Sequence, residues 1–400
     1  MATGAGLRLA IDGGSPVRTT LLPYAHQVIT DADVAAVAEA LRSDWLTTGP
    51  RVPAFEAELA AATGARHAVA FSSGTAALHG AAVVAGLGPG DEAITTPMTF
   101  VATANAVLYA GATPRFADVG PADLLIAPAA VAAAVGPATR AIVAVDYAGQ
   151  PADYAALRAI ADAAPGGPLT LIADAAHSLG AARDGHAVGT LADLSVLSLH
   201  PAKIMTTAEG GAVLTDRDDL ADHLRRFRNH GISTELGERR DWTYAMVELG
   251  YNYRLTDVAA ALGSAQIQRL DAFLARRRTL AARYIDRLAD HPSLELPAVA
   301  PTAEPAWHFM FVQLRLDRLT VGRGEVYRAL RAEGIGVNVH YIPVHHHPYY
   351  RDRFPGLSLP VAEAAYERLL TLPLHAGMTD ADLDDVVTAV DKVTEAYRRP

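Results

Sequence analysis

Short apolar runs alternate with helical stretches between residues 66 and 215. Several runs are apolar on both faces, as in strands of a parallel sheet that helices cover on both sides. The predicted strands cover residues 67–71, 93–96, 114–119, 141–146, 169–174, 194–200 and 211–215. This alternation predicts an open α/β domain.

Different patterns flank this region. Thr30 with the acidic residues after it predicts the start of one helix, and Gly64 predicts the end of a helix over residues 53–63. Residues 256–290 predict a long, mostly helical segment that links two domains. Beyond it the pattern predicts a strand (308–314), a helix (324–333), a strand (336–343) and two late helices. We therefore expect a large α/β domain with an N-terminal arm over residues 1–260, and a linking helix with a small α+β domain over 261–400.

The composition excludes several classes of protein. The 400 residues include 34 Lys plus Arg, 44 Asp plus Glu and no cysteine. The lack of cysteine excludes disulfides, thiolate metal sites and cysteine nucleophiles. The acidic balance, without a lysine-rich run, argues against nucleic-acid binding. Neither the N-terminal residues 1–14 nor the interrupted apolar stretch 124–138 predicts a signal peptide or membrane span, so we expect a cytoplasmic protein.

Only two residues are lysines, and one of them follows a predicted strand. Lys203 lies in Ser198-Leu-His200-Pro-Ala-Lys203, with Glu209-Gly210-Gly211 behind it, where α/β proteins place ligands. An amine of lowered pKa can form a Schiff base, whereas a guanidinium cannot. Lys203 is therefore either an amine that takes part in chemistry or an ordinary surface lysine. The surface interpretation suits the other lysine, Lys392, which lies in a charged helix.

A small polar turn, Ser73-Gly74-Thr75, leads from a predicted strand into a helix. Its hydroxyls and free N–H groups suit a phosphate, although a plain capped helix has the same sequence. Asp174 ends another predicted strand, where it could pair with a protonated pyridine nitrogen or cap a helix. Phe100 follows a third strand and could stack on a planar cofactor or belong to the core.

Four histidines and three tyrosines cluster between His340 and Arg351. Imidazole is a common zinc ligand. Three consecutive histidines cannot all face one ion from a regular element, and no carboxylate lies within the cluster. We therefore expect no metal, and expect this segment to form a polar, aromatic wall for a sugar or nucleotide.

In this order the segments resemble the DegT/DnrJ/StrS sugar-nucleotide aminotransferases, which are fold type I pyridoxal-phosphate (PLP) enzymes with a mostly parallel mixed sheet. The likeness runs from Leu46-Thr-Thr-Gly49 to the histidine–tyrosine segment and includes Gly250-Tyr-Asn252-Tyr-Arg254-Leu-Thr-Asp257. The motifs TTPMTFVATAN, VDYAG, TTAEGGAV and VHYIPVHHHPYY resemble most the aminotransferases of the pseudaminic acid pathway.

The resemblance implies catalytic roles for Lys203, Asp174 and His177: a Schiff base with PLP, a partner for the ring nitrogen and a neighbour of the ring hydroxyl. Phe100 would stack on the ring. The implied phosphate and substrate contacts are Ser73, Gly74, Thr75, Ser198 and the other subunit's Asn252 for the phosphate, and Thr48, His200, Arg254, His340, Tyr341 and His345 for the substrate. The resemblance also implies a homodimer whose two subunits share their active sites.

The implied reaction moves the amino group of L-glutamate to a nucleotide-linked keto-deoxysugar, with UDP and a 4-keto-6-deoxy sugar as the expected acceptor. Arg183, Arg254 and Arg351 are the candidates for binding its diphosphate. Amination of a cyclitol, a sugar dehydratase and a non-catalytic PLP-binding regulator remain open. A nicotinamide oxidoreductase would need a glycine-rich loop after the first strand, and this loop is missing.

Overall fold

The computed structural model describes residues 8–233 and 242–400. Strands are numbered in chain order, and seven of them form the largest sheet: β1 (His67–Phe71), β2 (Glu92–Thr95), β3 (Thr113–Phe116), β4 (Thr139–Val145), β5 (Thr170–Asp174), β8 (Leu194–Ser198) and β9 (Gly211–Thr215). Their order is β1-β9-β8-β5-β4-β2-β3. Strand β9 runs antiparallel to β8 and β1, and the remaining neighbours are parallel. The mostly parallel α/β fold expected from the sequence is confirmed.

This topology brings the carboxyl ends of six strands to one edge of the sheet. Strands β1 and β8 are both antiparallel to β9, so they point the same way as β5, β4, β2 and β3. The turns that follow β1, β2, β5 and β8 therefore meet at this edge. Ligands of open α/β sheets bind there.

Helices cover both faces of the sheet. The helices are α1 (Asp31–Arg42), α2 (Arg51–Thr63), α3 (Gly74–Val84), α4 (Ala102–Tyr109), α5 (Pro128–Ala134), α6 (Tyr154–Asp162), α7 (Asp218–Phe227), α8 (Asp257–Ile267), α9 (Leu270–Leu288), α10 (Arg323–Ala332), α11 (Pro348–Arg353), α12 (Pro360–Arg368) and α13 (Asp380–Ala396). One apolar core packs Phe55 and Leu157 against the sheet, and another packs Phe71 and Leu224. None of the helices in the described ranges combines the length and apolar character that a bilayer crossing requires.

Two smaller sheets complete the fold. One contains β10 (Leu294–Glu295), β12 (Met310–Leu314) and β13 (Leu369–Leu372), and the other contains β6 (Ala182–Arg183), β7 (His186–Ala187) and β11 (Ala303–Glu304). A separate core packs Leu9 and Leu22 against residues of α9, α10 and α13. The division at residue 260 stays a prediction, but the N-terminal segment contributes to this second core.

Two expectations about the C-terminal half were wrong. Residues 336–343 form no strand, because Asn338 exchanges two hydrogen bonds with Thr371 and the ladder then stops: the Val339 N–H bonds to the Asn338 side chain, and Pro343 has no N–H. Three late helices, α11, α12 and α13, follow instead of two, because Pro355 and Gly356 separate α11 from α12 and strand β13 separates α12 from α13. The segment 256–290 is mostly helical as expected, and the backbone of Arg269 leaves the helical region between α8 and α9 (φ −111°, ψ 8°).

A buried arginine joins α9 to the segments around it. The Arg277 guanidinium donates to the carbonyls of Trp307, His308 and Leu374 at 2.9–3.1 Å, and lies 3.4 Å from the Lys203 carbonyl. Burial lowers the pKa of Arg277 to about 10. This cation therefore binds backbone dipoles from three separate parts of the chain.

Candidate active site

A cavity of about 510 Å³ opens at the carboxyl edge of the large sheet. The turn after β8 places Lys203 there, with its backbone N–H bonded to the His200 carbonyl at 2.9 Å. The predicted site residues that line the cavity are Ser73, Gly74, Thr75, Phe100, Asp174, His177, Ser198, His200, Lys203, His340 and Tyr341. Residues far apart in the sequence thus meet in one place.

Lys203 and Asp174 act on each other electrostatically inside this cavity. Burial lowers the pKa of Lys203 to about 8, and the charge of Asp174 opposes that change. Burial raises the pKa of Asp174, while a hydrogen bond from Thr103, the charge of Lys203 and the Ala176 N–H oppose the rise. The site therefore holds an amine that loses its proton easily beside a carboxylate that needs a cationic partner.

Asp174 ends β5, and α4 supplies its closest hydrogen bond. The Thr103 hydroxyl donates to Asp174 Oδ2 at 2.6 Å, and the Ala176 N–H donates to Oδ1 at 3.2 Å. Thr99 Oγ1 lies 2.7 Å from Thr103 Oγ1. Because Thr103 gives its only proton to the carboxylate, Thr99 is the donor in that second bond. The two threonines form a chain of hydrogen bonds that ends on Asp174.

The loop after β5 buries His177 beside two other side chains. Its Nε2 lies 3.0 Å from the Tyr341 hydroxyl, and its ring centroid lies 4.4 Å from that of His308. Burial and the nearby charge of Lys203 hold the pKa of His177 well below its usual range. Its Nδ1 is buried without a hydrogen-bond partner among the described residues. A neutral imidazole with one unused nitrogen therefore lines the cavity.

The start of α3 approaches the end of β8 very closely. Ser73 caps the helix, its Oγ accepting the Ala76 N–H at 3.1 Å. A Cβ added to Gly74 would lie 2.9 Å from Ser198 Cβ, so only glycine fits at this position. The N–H groups of the first helical turn have no partner within the helix. This arrangement can accept a phosphate.

Phe100 stands at the opening of the cavity and not in the core. Its side chain is 59% exposed, and its ring centroid lies 6.3 Å from that of Tyr341. The core interpretation of Phe100 is therefore wrong. An aromatic face open to the cavity is free to stack on a planar ring.

Four predicted cofactor or substrate residues, Thr48, Asn252, Arg254 and His345, lie outside the lining of the cavity. Thr48 is exposed in a loop whose Gly49 N–H donates to the Asp257 carboxylate at 2.8 Å. Asn252 is exposed, and its backbone pairs with that of Asn229. The side-chain oxygen of Asn229 accepts a hydrogen bond from Arg254 at 2.7 Å. His345 is buried against Glu363 instead. Contacts of these residues with substrate stay predictions.

Neither Arg183 nor Arg351 lines the cavity, so their assignment to a diphosphate lacks structural support. Arg183 donates to the Pro151 carbonyl at 2.9 Å and pairs with Asp153 at 3.2 Å. Arg351 is exposed and lies 3.7 Å from its neighbour Asp352. Local acceptors bind the Arg183 guanidinium, and the Arg351 guanidinium stays exposed outside the cavity.

The cavity also contains residues that sequence reasoning missed. Thr103, His308 and Tyr24 all line it. The spacing of Thr99 and Thr103 was a usable signal, because side chains four residues apart can face the same side where a turn leads into a helix. No comparable signal marked His308, which begins a segment far from Lys203 in the sequence.

Relatives of this chain are known from both sequence and structure. The spore coat polysaccharide biosynthesis protein SpsC of Bacillus subtilis is 40% identical over 94% of this chain and 98% of its own length. The structure of Helicobacter pylori PseC, an aminotransferase involved in pseudoaminic acid biosynthesis, matches with a TM-score of 0.88 and 30% identity, covering 94% of this chain and 100% of PseC. DesV of S. venezuelae, solved with a ketimine intermediate, matches with a TM-score of 0.83 and 35% identity over 91% and 94%.

A sequence profile covers most of the chain as well. The profile of the DegT/DnrJ/EryC1/StrS aminotransferase family matches residues 27–391. A solved structural relative from Streptococcus pneumoniae is described in its PLP form. This chain belongs to the DegT/DnrJ/EryC1/StrS aminotransferase family and is a PLP-dependent aminotransferase.

Proposed function

We propose that this enzyme moves the amino group of L-glutamate to a keto-deoxysugar carried on a nucleotide, with a UDP-linked 4-keto-6-deoxy sugar as the acceptor. The observation that carries the proposal is the single cavity in which Lys203, Asp174 and the α3 turn meet. The described activity of PseC and the polysaccharide pathway of SpsC support the amino sugar as product.

The residues of the cavity fit PLP. The first turn of α3 has N–H groups without a partner in the helix, which suit the phosphate, and Gly74 lets this turn lie close to Ser198. The Asp174 carboxylate suits the ring nitrogen, and the exposed face of Phe100 suits the ring. The unpartnered Nδ1 of His177 leaves hydrogen-bonding capacity for a polar group. When bound, PLP supplies an electron sink for the carbon that carries the amino group.

Lys203 can move a proton in this site, and Asp174 can stabilise a positive charge. With a pKa of about 8, Nζ of Lys203 is partly neutral near pH 7, so it can accept a proton and return it as a general base and acid. The Asp174 carboxylate stabilises a positive charge placed beside it, and the hydrogen bonds from Thr99 to Thr103 and from Thr103 to Asp174 favour the ionised form of Asp174. Tyr341 orients the neutral His177 ring by their hydrogen bond.

We further propose a homodimer in which each subunit completes its partner's site. Large apolar side chains are exposed in the stretches of chain that contain Thr48 and Asn252, including Trp45 (52%), Trp242 (85%) and Leu249 (72%). Such a group of exposed apolar residues is typical of a protein interface. The placement of Asn252 outside the cavity of its own chain fits a role in the partner's phosphate site.

Mixing two inactive variants tests this arrangement. Lys203→Ala and Asn252→Ala homodimers, exchanged into heterodimers, should regain activity, because one site of the mixed dimer then has both intact residues. No recovery, or a monomer in analytical ultracentrifugation, would remove the shared-site proposal.

A substrate panel tests the acceptor. Keto-sugar nucleotides that differ in base and keto position, together with cyclitol ketones, would be supplied with L-glutamate while 2-oxoglutarate is measured. Turnover is expected with a UDP-linked 4-keto sugar. Preference for a cyclitol, dehydration without an amino donor, or failure to consume L-glutamate would each contradict the proposal.

A further inference from the structure

A second group of polar side chains lies outside the cavity, where a short 3-10 helix meets α12. The 3-10 helix Val344–His346 contributes His345 and His346, and α12 contributes Glu363. His345 Nε2 lies 3.0 Å from Glu363 Oε1, and His346 Nε2 lies 3.9 Å from the same oxygen. One potential ligand atom from each residue lies within 4.8 Å of the other two. We call these three residues the His–His–Glu cluster.

The spacing suits a tetrahedral metal ion. Zinc binds imidazole nitrogen and carboxylate oxygen at about 2.1 Å, which puts neighbouring ligand atoms about 3.4 Å apart. The two distances to Glu363 Oε1 lie on either side of this value. The side chain of His345 is 2% exposed, whereas that of His346 is 38% exposed. An ion would have a closed protein side and an open side for a water ligand.

The ligands are held before any ion arrives. The Leu359 N–H donates to Glu363 Oε1 at 2.8 Å, and the Ser358 hydroxyl donates to Oε2 at 3.2 Å. The Val344 N–H donates to the Pro97 carbonyl at 2.9 Å, which fixes the 3-10 helix on the large sheet's side. Hydrogen bonds to a ligating carboxylate are usual in metal sites, because they orient it.

The local charge favours a cation. The Asp118 carboxylate accepts the backbone N–H groups of Val361 and Ala362, the two residues directly before Glu363. Among the described residues, neither Asp118 nor Glu363 forms an ion pair with a lysine or arginine. Two carboxylates without a permanent cationic partner therefore lie at the start of α12.

We propose that the His–His–Glu cluster is a structural site for a divalent transition metal ion of the zinc class. The sequence argued against a metal because the histidine segment contains no carboxylate, but the fold supplies one from 18 residues further along the chain. The ion would join the 3-10 helix to α12. The same histidine segment contains Tyr341, which bonds to His177, so the ion would also secure a wall of the cavity.

Zinc binding by the PLP-loaded enzyme tests the site. Chelator-treated holoenzyme would be dialysed against increasing concentrations of Zn²⁺ and its metal content measured at each. We expect one ion per chain and a higher unfolding temperature with the ion. His346→Ala, chosen because its ring is half-exposed, should weaken Zn²⁺ binding at least tenfold and abolish the thermal effect, and Glu363→Gln should act in the same direction.

His347→Ala is the matched control, since His347 adjoins the cluster without belonging to it. This variant should keep the wild-type affinity for Zn²⁺. Circular dichroism and PLP content would show whether each variant has folded. The proposal is overturned if the wild type binds no Zn²⁺, or if His347→Ala loses the ion as fully as His346→Ala does, because binding would then belong to the histidine run as a whole. Cobalt substitution provides a second readout, with a tetrahedral visible spectrum expected in the wild type and absent in His346→Ala.

Discussion

Thr103 should control how readily Asp174 carries negative charge. The Thr103 hydroxyl donates to Asp174 Oδ2 at 2.6 Å, and the Thr99 hydroxyl donates to the Thr103 hydroxyl at 2.7 Å. This hydrogen bond lowers the pKa of Asp174 against the effect of burial. Valine has the shape of threonine without the donor. Thr103→Val should therefore raise the pKa of Asp174 and weaken its hold on a protonated ring nitrogen.

The expected size follows from the strength of the lost bond. A hydrogen bond to a charged group contributes about 1.5–3 kcal/mol, which corresponds to about 10- to 150-fold in an equilibrium constant. We expect Thr103→Val to weaken PLP binding within this range and to slow the half-reaction with L-glutamate. Thr99→Val removes only the more distant bond of the chain, so its effect should be smaller.

The pH dependence separates this cause from general damage. A higher pKa for Asp174 means that its carboxylate is protonated at a higher pH, so the loss of activity in Thr103→Val should grow as the pH falls. The assays are PLP titration of the apoenzyme and stopped-flow half-reactions across pH. Thr103→Ser keeps the donor and should follow the wild-type profile. If the profiles of Thr103→Val and wild type superimpose, the hydrogen bond does not act on Asp174 as argued.

Three further predictions concern single residues. Lys203→Arg should abolish the visible Schiff-base absorbance. In the wild type the rate of PLP capture should rise with pH and level off above about 8, because an amine with that pKa reacts only when it is neutral, and a flat pH profile would contradict this. Gly74→Ala should weaken PLP binding in equilibrium dialysis, since its Cβ would lie 2.9 Å from Ser198 Cβ and overpacking costs about 1–3 kcal/mol; unchanged affinity would show that the turn adjusts. Arg277→Met should lower the calorimetric unfolding temperature, because the three carbonyls that lose the guanidinium donor each cost about 1–3 kcal/mol. An unchanged unfolding temperature would show that these hydrogen bonds do not stabilise the fold.

Local patterns in the sequence determined much of the large sheet. The strands predicted over residues 67–71 and 211–215 have these bounds in the structure. Hydrophobic alternation and turn residues are set within a window of a few residues, so they can be read without the fold. The same holds for the turn that carries Lys203, whose position after β8 follows from the strand and the two glycines behind it.

Only the tertiary structure decided which distant residues meet. Asp174 and Thr103 are 71 residues apart, and the order of β2, β4 and β5 brings their turns together. Glu363 joins two histidines because α12 packs beside their 3-10 helix. Residues 336–343 pair with the distant strand β13 only through Asn338 and Thr371, so the extent of this ladder also depended on the tertiary fold. Such contacts depend on strand order, register and packing over the whole chain, and no short stretch of sequence encodes them.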